Sequence, residues 1–325
     1  MKQISVWVTL GVWALLSLSG ILFALWQGNT GRAFAATATT LSLLLLLMLL
    51  FAARGFADKF LASLGSGGSL LLGVLVFLLY VIYLFGTGTF ALSRIGIVAG
   101  LIFVPLTLAM SAAKSAPGSW QDFLILVAVW VFVKFGPSHY LWPYPGGRLA
   151  YICTVLLAVN AAIVTFLLAR KTKGIGYSIG WGNNWTLYAL GSFLVFACIA
   201  IPLGISMHFI SFAPQWNQWH SFLGLSVAIL VFTAWPEEFL FRGLLQNLLA
   251  RSSKSEVAGW WTSSVLFGLS HITNNGHFPN WRYAILATIA GLFYAYTWRR
   301  TNSIFASALV HAAVDVTWHF LFRTL

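Results

Sequence analysis

The sequence is poor in charge, and poorest in acids. Only six of its 325 residues are Asp or Glu, and all charged residues together make up 7%. Soluble domains carry about 25%. That shortage excludes an ordinary soluble domain and leaves any acid inside an apolar run in need of a reason. Cysteine is nearly missing too. Cys153 and Cys198 sit singly in apolar runs, which excludes a disulfide framework or a cysteine metal site and predicts two small packing residues. No short alternating segments occur, which excludes a transmembrane β-barrel. No low-complexity linker or internal repeat divides the chain.

What fills the chain is apolar sequence, at 60% of residues, in runs such as "LLLGVLVFLLYVIYLF" at 70–85. A helix needs roughly 20 mostly apolar residues to cross the hydrocarbon core. The expected fold is therefore all-α, a polytopic transmembrane bundle of about 10–11 segments. They fall near 5–26, 36–53, 69–86, 95–113, 123–135, 149–169, 187–205, 220–249, 258–271, 282–298 and 303–322. The first run is too long for a signal-peptide core and reads as an uncleaved helix. The net charge of +12 comes from basic residues between the runs, so it reports topology rather than nucleic-acid binding. An N-terminus inside puts eleven basic residues on the cytoplasmic side and six outside, with Arg242 left in the membrane, as the positive-inside bias requires. The compact loops suggest a bacterial cytoplasmic membrane.

The acids divide the chain by chemistry. Asp58 and Asp122 lie in expected loops, and Glu256 lies in the basic loop "RSSKSEV", where it should be solvated. The other three, Glu237, Glu238 and Asp315, fall within expected spans. Intramembrane ionisable groups cost about 2.5–3.5 kcal/mol on insertion scales and mark functional sites. Residues 1–205 thus read as transmembrane helices of unassigned role, and 206–325 as the functional region, with the site among the C-terminal helices.

Three motifs carry the chemistry. In "WPEEFLFRGLL" (235–245), Glu238 and Arg242 are four apart and share a helix face. Glu237 points about 100° away. Pro236 should kink the helix and leave the Phe232 carbonyl without its donor. "FGLSH" ends at His271, and "HAAVD" sets His311 and Asp315 four apart on one face. Helical rise puts Glu237, His271 and His311 roughly 20–25, 20 and 12 Å into their segments, so one wet cavity can collect them. Such a set activates water in either of two ways. Glu237 can serve as general base with His271 holding the water, or Glu237, His271, His311 and Asp315 can bind Zn²⁺. A buried ion pair and a structural His–Asp pair are the plain alternatives for these motifs. Among the remaining histidines, His208 and His220 flank the aromatic loop "FISFAPQWNQW", a membrane-interface belt or a lid. His277 reads as a loop residue, and His139 and His319 as interface residues.

In this order and in separate spans, Glu237-Glu238-x-x-x-Arg242, Phe267-x-x-x-His271 and His311-x-x-x-Asp315 resemble the CAAX-protease and bacteriocin-processing family of intramembrane proteases, relatives of the Ras-converting CAAX prenyl endopeptidase. The resemblance covers about 220–322. It implies an intramembrane endopeptidase in which Glu237 activates water and His271 positions it. His311 and residue 315 would stabilise the oxyanion, and Glu238 with Arg242 would hold the site in shape. It implies a membrane-associated or lipid-anchored peptide or protein as substrate, in a lipid bilayer, with no nucleic acid and no cofactor. Family members are described both as glutamate-type and as metalloproteases, so Zn²⁺ stands as the alternative. CAAX-type enzymes carry Asn where this chain has Asp315. An ionised carboxylate only accepts hydrogen bonds, so Asp315 either orients His311 or is protonated. A non-catalytic immunity or assembly factor, or a proton-coupled transporter, are the readings from other classes. Carriers often show matching halves, whereas here the ionisable groups gather in one third.

Overall fold

The computed structural model describes residues 2–65, 67–274 and 278–325. It is helical almost throughout, and eight helices are long and apolar enough to cross a membrane. The chain packs as two compact units, Gln3–Lys173 and Gly174–Leu325.

The first unit holds α1 (Val6–Trp26), α2 (Gly31–Phe51), α3 (Phe56–Leu64), α4 (Gly67–Thr87), α5 (Leu92–Ser111), α6 (Trp120–Phe135), α7 (Ser138–Leu141) and α8 (Gly147–Ala162), the last continuing as π-helix over Ile163–Ala169. The stretch Leu149–Ala169 is the buried centre of this unit, while α1 is the most exposed of the eight candidate spans. Apolar side chains supply most contacts, and a few polar ties fix register. Asn160 Nδ2 donates to the Leu44 carbonyl at 3.0 Å, and Trp13 Nε1 to the Ser42 carbonyl at 2.7 Å.

Neither acid of this unit lies in a loop, contrary to the sequence expectation. Asp58 is in the first turn of α3. Asp122 is buried in the first turn of α6, where it forms a capping box with Ser119. Arg170 Nε donates to its Oδ1 at 2.7 Å and Nη2 to its Oδ2 at 2.8 Å. An acid three residues after a serine is a helix-start signal, and it outweighs the loop-like polarity around it.

The second unit holds α9 (Trp185–Ser206), α10 (Trp216–Ser253), α11 (Glu256–Leu269), α12 (Trp281–Thr301) and α13 (Ile304–Leu321). Helix α9 packs against α12 and α13. All eleven apolar segments read from the sequence are helical. Three of them do not meet the length and apolarity of a span: α6 with 16 residues, α11 with 14, and α12, which ends in Arg299-Arg300-Thr301. Glu256 is solvated, as expected, although it opens α11 rather than lying in a loop, and Arg299 Nη2 donates to its Oε2 at 3.2 Å. Cys153 is buried, but Cys198 is exposed on α9, so only the first is a packing residue.

Small residues let α11 and α12 approach closely, as in membrane helix pairs generally. A Cβ on Gly268 would lie 1.9 Å from Thr288 Oγ1 and 2.5 Å from the Ala284 carbonyl oxygen. A short antiparallel ribbon pairs Ile210–Phe212 with Phe322–Thr324, in the register Ser211 to Arg323. It ties the loop after α9 to the segment after α13.

Candidate active site

Helix α10 carries the glutamates. It passes into π-helix at Leu230–Ala234, returns to α-helix for Trp235–Glu238, and widens again to π over Phe239–Gln246. Pro236 has no N–H and its ring crowds the preceding turn. The helix answers by widening rather than breaking, a common site for π-turns near function.

The two glutamates point apart. Glu238 is fully buried, whereas the Glu237 side chain keeps 27% exposure at the cavity. Arg242 is also fully buried, with Nε 3.2 Å from Glu238 Oε2. That is an ion-pair distance without hydrogen-bond alignment, since none of its guanidinium nitrogens has an aligned acceptor among the described residues. Its plane rests instead on aromatic faces, 4.8 Å from the Phe267 ring centre and 5.8 Å from that of Tyr294.

Glu238 has further partners in α13. Ser307 Oγ donates to its Oε2, and His311 Nδ1 lies 3.0 Å from its Oε1. A carboxylate only accepts, so an ionised Glu238 fixes the proton of His311 on Nδ1. The other nitrogen, Nε2, is 3.5 Å from Asp315 Oδ2 and 3.9 Å from Glu237 Oε2. A neutral ring turns a lone pair towards two carboxylates, and one more proton, on Nε2 or on one of those oxygens, relieves that opposition. The imidazole is clamped by Tyr294, stacked on it at 4.5 Å and 15°, and by the edge of Phe267 at 5.7 Å.

His271 lies just past the end of α11. Its Nδ1 is 2.8 Å from the Phe267 carbonyl oxygen and 3.1 Å from Ser270 Oγ. The carbonyl can only accept, so Nδ1 carries the proton and Nε2 of the neutral ring is an acceptor.

Glu237, His271, His311 and Asp315 line one cavity of about 250 Å³, completed largely by apolar side chains such as Phe196, Phe209 and Trp318. Of the six residues singled out in the sequence, these four meet at the cavity, and Glu238 and Arg242 lie behind it. Sequence reasoning missed Ser307, Tyr294, Asn274 and Tyr283. The last three also line the cavity. Only Ser307 carried a usable signal, standing four residues before His311 on the same helix face.

Among the described residues, the other histidines stand apart from this cavity. His208 follows α9 with its carbonyl 3.3 Å from Arg282 Nη1, and His220 and His319 are exposed. His139 borders a separate hollow in the first unit. His277 lies outside the described residues. The loop expected as a belt or lid contributes Phe209 and Ile210 to the cavity wall, while its Trp216 and Trp219 are about three-quarters exposed.

The zinc alternative can be tested on the donor arrangement. Among the described residues, no three His, Cys, Asp or Glu side chains are grouped to hold a metal ion. His311 gives one nitrogen to Glu238 and turns the other towards Glu237 and Asp315.

No curated protein and no solved structure matches the chain. A family model does match, over residues 218–317, and it is described as Rce1-like, type II CAAX prenyl endopeptidase. That stretch runs from the start of α10 through Asp315 and contains all six residues singled out above. With its eight candidate spans, the chain is an integral multi-pass membrane protein whose residues 218–317 are similar to the Rce1-like, type II CAAX prenyl endopeptidase family.

Proposed function

We propose that this protein is an endopeptidase that hydrolyses a peptide bond of a membrane-associated protein or peptide, using water activated by Glu237. The observation that carries the reading is the shared cavity. Glu237, His271, His311 and Asp315 line it, and Glu238 orients His311 from behind. A core built only to pack would not surround one imidazole with three carboxylates.

The steps balance on the chain's own groups. Water donates one hydrogen bond to Glu237 and a second to His271 Nε2. Glu237 removes a proton as the water oxygen bonds to the scissile carbonyl carbon. The carbonyl electrons move onto its oxygen, and the proton held at His311 Nε2 faces that developing charge. The intermediate collapses, the C–N bond breaks, and the leaving nitrogen takes the proton from Glu237. Glu238, Arg242 and Ser307 touch no reacting atom; they position His311. A base of this kind contributes about 10²–10⁴-fold.

We write the reaction without a metal. A chelator applied to purified protein should therefore leave turnover unchanged. The apolar surroundings favour a leader peptide or a membrane-anchored protein over a polar soluble substrate. We place the protein in a bacterial cytoplasmic membrane with its N-terminus inside.

The test compares newly formed peptide termini in membranes from cells expressing the native chain and Glu237→Gln at equal abundance. Termini found only with the native chain support hydrolysis and name its substrates. If the two profiles coincide while the phenotype of the native chain persists in Glu237→Gln, a non-catalytic immunity or assembly role replaces this reading.

A further inference from the structure

The site has an unfilled role. Acyl transfer requires a hydrogen-bond donor at the oxygen that becomes negative, and an ionised Asp315, where CAAX-type enzymes carry an amide, only accepts. His311 Nε2 supplies at most one donor, and it faces Glu237 and Asp315, which stand 3.9 and 3.5 Å away. A second donor must come from elsewhere on the cavity wall.

Tyr283 has the required position. It sits in the first turn of α12, whose start is fixed by Asn280 Oδ1 accepting from the Tyr283 backbone N–H at 3.1 Å. Its ring packs on His271 at 5.0 Å and on Trp318 at 5.1 Å. It lines the same cavity as Glu237, His271, His311 and Asp315. Asn274, an amide, lines the same cavity wall. A phenol on this wall has a proton to offer a substrate oxygen, and a neighbouring amide can donate to the phenol oxygen in turn. The ring contacts hold the hydroxyl without using it, so packing alone does not account for a tyrosine rather than a phenylalanine.

We propose that the Tyr283 hydroxyl is a catalytic hydrogen-bond donor to the oxyanion, taking over the task that an amide at position 315 would perform. The inference rests on the hydrolase reading above. The phenol keeps its proton throughout and forms no covalent bond.

The experiment uses the purified full-length chain in detergent micelles and a fluorogenic peptide copied from the strongest cleavage site found by terminus profiling. Four proteins are compared: native, Glu237→Gln, Tyr283→Phe, and Tyr283→Phe combined with Asp315→Asn. Cleavage by the native chain and none by Glu237→Gln secures the hydrolase reading first; no cleavage by the native chain removes that reading, and this proposal with it. Given cleavage, Tyr283→Phe should lower kcat about 10²–10³-fold with KM within twofold, because only a transition-state contact is lost. Adding Asp315→Asn should restore at least tenfold of that loss by supplying an amide donor. A Tyr283→Phe protein as fast as native overturns the proposal. A loss that Asp315→Asn does not restore also overturns it, since it marks a structural hydroxyl.

Discussion

Glu238 and Arg242 are both fully buried, and the guanidinium has aromatic faces around it instead of aligned acceptors. Removing one member of a buried pair strands the other charge, at a cost of about 3–5 kcal/mol. Arg242→Met should therefore lower the denaturation midpoint in detergent and reduce the folded yield, even though Arg242 touches no substrate. A melting curve equal to that of the native chain would show that the pair contributes nothing. The i,i+4 spacing made this pair legible in the sequence. The third partner was not: His311 lies 73 positions from Glu238, and no local pattern reveals which ring nitrogen faces which carboxylate. The sequence left Asp315, the neighbour of His311 on the helix, either to orient that ring or to be protonated. In the structure Glu238 holds Nδ1, and Asp315 stands at Nε2.

At the scale of elements, the site depends on how closely α11 and α12 approach. Gly268 sits where they meet, with Thr288 and the Ala284 carbonyl in the space that a side chain would need. Gly268→Leu should separate the helices, move His271 away from Tyr283, and abolish activity along with a loss of stability greater than the roughly 1–3 kcal/mol of ordinary overpacking. Retained activity in this variant would show that the helix contact does not position His271. Periodicity and apolar run length made all eleven helical segments legible. The π-turns around Pro236 were not, because a proline in a helix predicts a disturbance without choosing between a kink and a widened turn. Asp122 shows the converse: its capping signal was present in "SWQD", but polarity suggested a loop.

Across the whole molecule, the apolar composition made membrane residence readable and the positive-inside bias suggested an orientation. The division at Lys173–Gly174 was harder to read, because apolar helices on either side of it look alike and only their packing distinguishes them. Within the second unit, the ion pair between Glu256 and Arg299 joins the start of α11 to the end of α12, so both turns lie at one end of the unit. If all eleven helical segments cross and the N-terminus is inside, that end is cytoplasmic. Single cysteines at Lys254 and Asn302, in a chain with Cys153 and Cys198 replaced by serine, should resist an impermeant maleimide in intact cells and react after permeabilisation. Labelling of both in intact cells would invert the proposed orientation.

The central claim is that the Glu237 carboxylate removes the proton from the attacking water. Its most direct test is the cleavage rate of purified native and Glu237→Gln proteins, matched in folded concentration and melting temperature, on the peptide identified by terminus profiling. The account predicts a fall in kcat of about 10²–10⁴-fold for Glu237→Gln. Equal rates in the two proteins would contradict it and take the chemistry away from this cavity.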